Sequence, residues 1–144
     1  MTRVDFYLLS DVDPHARLRF ACRLASKAVA QGNKVHLRTP DAAASLALDD
    51  LMWTYPEDRF LPHAQTGSKD EPQAPVSISH EEPPSAADQV LINLGSDMPN
   101  FFSRFERVAE VFIDAERSTG RERYRAYRDR GYPLFHHELD NWEE

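Results

Sequence analysis

The chain has 144 residues, 41% of them hydrophobic, which suits one domain with a single core and excludes a disordered chain. No apolar run approaches the about 18 residues that cross a membrane, the opening Met1-Thr2-Arg3-Val4-Asp5-Phe6 is too polar for a signal peptide, and the lone Cys22 excludes an internal disulfide, so a cytoplasmic protein is expected. The net charge of −7 argues against wrapping by long DNA.

Residues 4–9 are apolar enough to predict a strand buried on both faces. Asp11, Asp13 and Pro14 break it; Pro14 suits the first turn of a helix and Asp13 its N-cap. Leu18, Ala21, Cys22, Ala25, Ala28 and Val29 then recur at helical spacing, and Gly32 supplies the stop. Residues 34–38 predict a second strand, so the chain opens with a βαβ unit, a parallel pair joined by a right-handed crossover. Thr39 as cap and Pro40 as first position predict a second helix to about Met52. Residues 60–63 read as a short edge segment, 64–75 as a surface loop, and 76–79, by their alternation, as a half-exposed strand. A loop over 80–87 leads to a buried central strand at 90–94. Ser96 or Asp97 is placed to cap a short helix through Phe101, Phe102 and Phe105. A strand over 108–113 and a basic helix over 114–131 complete the series. Strands alternating with helices predict an α/β fold: a single domain over 1–144, with a mostly parallel central sheet flanked by helices on both faces.

The topology is nucleotide-binding-like, but there is no P-loop. After the first predicted strand stand Ser10-Asp11-Val12-Asp13-Pro14: no glycine, two carboxylates, and a proline without an N–H. A phosphate is repelled there. The acid pairs Asp49-Asp50, Glu81-Glu82 and Glu143-Glu144 are sequence neighbours that do not share a face, and they read as solvated charge. None of His15, His36, His63, His80, His136 and His137 stands at ligand spacing from Cys22 or another histidine. Cys22 falls on an apolar helical stripe, an inert core position. No catalytic residue, metal or cofactor is expected.

The informative stretch is 117–130, where six arginines face two acids, Glu122 and Asp129. At about 100° per residue, Arg117, Arg121, Tyr124 and Arg128 fall on one stripe, with Arg125 beside it. Guanidinium groups so spaced repel unless an anion neutralises them, and Gly120 weakens a helix interior by about 1 kcal/mol relative to alanine. Three readings compete. One is a solvated basic face, and another a nucleic-acid stripe with Tyr124 and Tyr127 stacking on bases. The third is capture of an acidic peptide ending in a carboxylate, which the planar guanidinium binds in bidentate fashion. The acidic remainder of the chain favours a short acidic tail over a long polyanion. After Gly131, the apolar members of 132–139 either anchor the chain end on the core or wall a pocket beside the arginines.

The segment Arg121-Glu122-Arg123-Tyr124-Arg125-Ala126-Tyr127-Arg128-Asp129-Arg130-Gly131-Tyr132 resembles the C-terminal signature of the chi subunit family of bacterial DNA polymerase III. Phe6-Tyr7-Leu8-Leu9, Leu48-Asp49-Asp50-Leu51-Met52-Trp53, Phe60-Leu61-Pro62-His63 and Val90-Leu91-Ile92-Asn93-Leu94 followed by Phe102 and Phe105 resemble that family in the same order. The resemblance implies a non-catalytic accessory subunit of the holoenzyme in DNA replication. It implies two partners: the psi subunit, which ties the chain to the clamp loader, and the acidic, phenylalanine-ended tail of single-stranded-DNA-binding protein. DNA is then met only indirectly. Carried over by position, the tail site comprises Arg117, Arg121, Tyr124, Arg125 and Phe112, and the psi-facing surface Phe60 and Trp53; helix geometry adds Arg128. The rival expectations are a direct single-stranded nucleic-acid binder and a nucleotide-dependent enzyme.

Overall fold

The computed structural model describes residues 1–56, 61–68, 74–84 and 86–143. Its centre is built from the apolar segments β1 (Arg3–Leu9), β5 (Val90–Asn93) and β6 (Arg107–Phe112). On one side β2 (Val35–Arg38), β4 (Val76–Ser79) and β3 (His63–Gln65) extend the sheet; on the other, β7 (Leu134–Leu139) closes it. The order is β3-β4-β2-β5-β6-β1-β7. Every pairing among the described residues is parallel, including Leu8 beside Phe112 in β6 and beside Glu138 in β7.

This order fixes where the helices go. From β1 the chain passes through α1 (Pro14–Ala30) to β2, then through α2 (Ala42–Met52) to β3, always in one direction across the sheet. From β6 it moves the opposite way, through α3 (Arg117–Asp129) and over β1 to β7. Right-handed crossovers in opposite directions place helices on opposite faces. Accordingly Ala21, Ala25, Leu48 and Met52 pack with Leu9, Leu37, Ile78 and Ile92 in one core. Tyr127 packs with Val4, Phe6, Val108 and Phe112 in the other, joined by Phe102 and Phe105. Two helices on one face and one on the other agree with the layered sheet expected.

The first helix forms where its signals place it. Asp13 accepts from the His15 N–H at 3.0 Å, Pro14 opens the first turn, and Gly32 adopts φ +89 after the last turn. Cys22 is fully buried, and burial pushes its thiol up to about 12, as an inert core position requires.

Several boundaries differ from the expectation. The second helix is capped by Asp41, not Thr39, and Pro40 lies outside it. Asp41 Oδ1 accepts from the Ala44 N–H at 2.8 Å, while the buried Thr39 hydroxyl is engaged with Ser45 Oγ at 2.5 Å. The edge strand is β3, so Ala64 and Gln65, expected in a loop, are strand residues fixed by their parallel partner β4. β4 is mostly buried, since α2 and its strand neighbours cover the face its serines do not occupy. The expected helix through Phe101, Phe102 and Phe105 is one 3-10 turn, Phe102–Arg104, without a side-chain cap; Asp97 is drawn to Arg38 instead. The last helix begins with a 3-10 turn at Asp114–Glu116 and becomes α-helical at Arg117.

The carboxyl ends of β2 and β5, where a nucleotide sits in related topologies, are filled by side chains. Arg38 donates to Asn93 Oδ1 at 3.0 Å and to Asp97 Oδ1 at 2.6 Å, and its guanidinium lies where a side chain on Gly95 would stand.

Candidate functional site: a basic groove beneath the last helix

Strand β6 reads Arg-Val-Ala-Glu-Val-Phe, and its lone acid, Glu110, is completely buried under α3. A carboxylate in that position requires donors. Arg123 Nη1 donates to Glu110 Oε1 at 2.8 Å, the Tyr127 hydroxyl to Oε2 at 2.7 Å, and Asn93 Nδ2 to Oε2 at 2.9 Å. Burial pushes the Glu110 carboxyl above its ordinary range, against the pull of Arg123, Asn93 and Tyr127. Burial beside Glu110 likewise raises the Tyr127 phenol. Arg123 and Tyr127 lie one turn apart, so this network sets the rotation of α3 on the sheet.

The opposite edge of α3 then overhangs a groove of about 350 Å³. Phe6, Leu8 and Phe112 form its floor, because β1 alternates and turns Val4, Phe6 and Leu8 towards α3. His136 and Glu138 of β7 form the far wall. On the near wall stand Arg117, Arg121, Tyr124, Arg125 and Arg128. All six residues expected at a tail site are therefore gathered around one cavity. Tyr124 meets the Phe6 ring edge-on at 5.1 Å, and Phe112 stacks beside Phe6 at 6.1 Å. Arg17 reaches this floor from α1: it donates to the Val111 carbonyl at 2.7 Å and lies 5.9 Å over the Phe112 ring.

The arginines are not equivalent. Arg117 is paired with Asp114 at 2.6 Å, which also raises its pKa, and Arg128 contacts Asp129 at 3.6 Å. Arg123 is withdrawn into the buried pair with Glu110. Arg121 and Arg125 are exposed and have no acid partner within ion-pair distance among the described residues. The cation cluster facing solvent is thus smaller than the six arginines of the segment. Stacking of Tyr127 on a base is ruled out by its complete burial; Tyr124 remains half-exposed.

Of the residues expected to face psi, Trp53 directly follows α2, is 58% exposed, and meets His63 edge-on at 4.8 Å. Phe60 lies outside the described residues.

The family described as DNA polymerase III chi subunit, HolC, matches residues 1–135. The chain belongs to the DNA polymerase III chi subunit family. That makes it an accessory subunit of a polymerase that acts in DNA replication. Among individual proteins, it is similar to the DNA polymerase III subunit chi of Pseudomonas aeruginosa, with 43% identity over 141 residues that cover 96% of this chain and 98% of that one. The subunit chi of Escherichia coli is 29% identical over 141 residues, covering 93% and 96%. That of Haemophilus influenzae is 29% identical over 132 residues, covering 90% and 92%.

Residues 132–139 do wall a pocket beside the arginines, one of the two roles read for them, but through His136 and Glu138 and not through their apolar side chains; the Glu110–Arg123 pair was missed. A signal for the pair was present: one acid within an otherwise apolar strand core, and an arginine one turn from a tyrosine on the apolar side of a basic helix.

Proposed function

We propose that the groove beneath α3 receives the acidic, phenylalanine-ended C-terminal tail of single-stranded-DNA-binding protein. The chain, itself non-catalytic, then couples that protein to the clamp loader in the cytoplasm, through a heterodimer with psi. One observation carries the reading: Arg121 and Arg125, two exposed guanidinium groups without acid partners among the described residues, border a groove floored by phenylalanine and leucine side chains. A basic rim with an apolar floor matches a ligand that ends in both a carboxylate and an aromatic ring.

In this reading Arg121 clamps the terminal carboxylate, and Arg117, Arg125 and Arg128 attract the aspartates before it. The terminal ring lies between Tyr124 and Phe112. One charge-assisted hydrogen bond contributes roughly 1.5–3 kcal/mol, and burial of the ring about 1.5–3 kcal/mol. These two contributions sum to about 3–6 kcal/mol before ordering costs, short of the roughly 8 kcal/mol that corresponds to 1 μM, so a single tail binds weakly. Several tails on one oligomeric partner then add avidity. Psi occupies a separate surface that includes Trp53 and Phe60.

Calorimetry with a synthetic acidic peptide ending in phenylalanine tests the proposal. Binding is expected to be lost when that phenylalanine is deleted and strongly weakened by Arg121→Ala, with the fold intact. Equal affinity for the shortened peptide reduces the site to a bare charge patch. Tight binding of a naked oligonucleotide with a steep salt slope instead makes the chain a direct nucleic-acid binder.

A further inference from the structure

Gly120 is the fourth residue of α3, within its first turn, where glycine is less favourable to helix than any residue but proline. Its backbone conformation does not call for glycine, since it lies within regular helix. The reason for its presence is the neighbour it meets. A Cβ built on Gly120 would come within 3.3 Å of the Phe112 ring at Cδ2 and 3.4 Å at Cγ, and both residues line the groove.

The Phe112 ring is not free to give way. It is buried, with Phe6 stacked beside it at 6.1 Å, the Arg123 guanidinium over it at 5.2 Å and that of Arg17 at 5.9 Å. Arg123 is in turn held by Glu110, and Arg17 by the Val111 carbonyl. Nor is α3 free to rise, because the same Arg123 and Tyr127 bind it to Glu110. A methyl group at position 120 would therefore take its space from the inner end of the groove.

We propose that Gly120 is the specificity-determining position of the groove: its missing side chain leaves the depth over Phe112 that a terminal aromatic ring requires, and α3 accepts a weaker helix in exchange. This rests on the tail-docking reading above. Gly120 need not touch the carboxylate or the acidic residues of the ligand; it acts on the ring alone.

The test pairs two variants with two peptides. Gly120→Ala places the methyl group in the groove. Thr119→Ala, at an exposed neighbouring position outside the groove, raises helix propensity in the same turn without approaching Phe112. Binding is measured by calorimetry with an acidic peptide ending in phenylalanine and with the same peptide ending in alanine, and the fold by circular dichroism and thermal melting. Gly120→Ala is expected to fold and to melt within a few degrees of the natural chain, the gain in helix propensity offsetting the tight contact with Phe112, yet to bind the phenylalanine-ended peptide about tenfold or more weakly, the share of one ring's burial. It binds the alanine-ended peptide as weakly as the natural chain does, and Thr119→Ala binds both peptides unchanged. Equal affinity of Gly120→Ala and the natural chain for the phenylalanine-ended peptide overturns the inference while leaving tail docking intact. So does a Gly120→Ala chain that fails to fold, because the glycine would then serve the packing of the domain. Failure of the natural chain to bind the peptide at all sinks the docking reading itself.

Discussion

Replacing Glu110 by alanine removes the acceptor on which α3 is seated. Arg123 loses its counter-ion at 2.8 Å, and the Tyr127 hydroxyl its partner at 2.7 Å. Asn93 loses a bond of 2.9 Å but keeps the Asp97 carbonyl at 3.0 Å, so its amide is still partly satisfied. Removing one member of a buried ion pair costs about 3–5 kcal/mol, against a total stability of about 5–15 kcal/mol for a domain. In urea, with a slope of about 1–3 kcal/mol per molar, the unfolding midpoint drops by about 2 M. Part of the cost is the stranded charge and not the lost bond. The double variant Glu110→Leu, Arg123→Met, which removes both charges, therefore regains more than half of it. Unfolding followed by circular dichroism checks both. A loss below about 1 kcal/mol for Glu110→Ala, or a double variant no better than the single one, contradicts the account of how α3 is held.

One further outcome follows from the buried Asp5 cluster, and another from the proposed psi-facing surface. Asp5 is buried, which pushes its carboxyl up, but hydrogen bonds from Arg3, His137 and Arg107 outweigh burial and hold it below the ordinary 3.8. A carboxyl lowered on folding contributes stability that is complete above its unfolded value and is lost as pH falls through the folded one. Asp5→Asn is expected to flatten the loss of stability below about pH 4, measured as melting temperature against pH, and an unchanged acid slope counts against the cluster. Trp53→Ala, at a position 58% exposed, is expected to leave the melting temperature within a degree or two and to weaken pairing with psi in a pull-down of purified subunits; undiminished pairing removes Trp53 from that surface.

The parts of the fold that were legible in the sequence are those with local causes. The first helix carries its own cap, its first-turn proline, its apolar spacing and its stop, and it forms where these lie. The basic stripe of α3 was legible for the same reason: helical geometry alone places Arg117, Arg121, Tyr124 and Arg128 together, and they line one groove. Phe112 entered through the family resemblance, since no spacing rule connects a strand end to a helix that crosses above it. β7 was illegible because Leu-Phe-His-His-Glu-Leu has no alternating apolar pattern, and its strand state depends on β1, more than a hundred residues earlier. The burial of Arg123 was hidden likewise. Its charge reads as one more member of a basic face until Glu110 is found beneath it. Thr39 has the sequence position of a cap, but its contact with Ser45, six residues on, takes its hydroxyl instead.

An acidic chain end is proposed to dock between α3 and β7 over Phe6 and Phe112. The most direct measurement is a nitrogen–proton correlation spectrum of the labelled chain titrated with an acidic peptide ending in phenylalanine. Signals of Gly120, Arg121, Tyr124 and Arg125, and of His136 and Glu138 across the groove, should move together and saturate, while those around Trp53 stay in place. Shifts concentrated elsewhere on the surface, or spread thinly over every exposed basic residue without saturation, would mean that the groove is not the docking site.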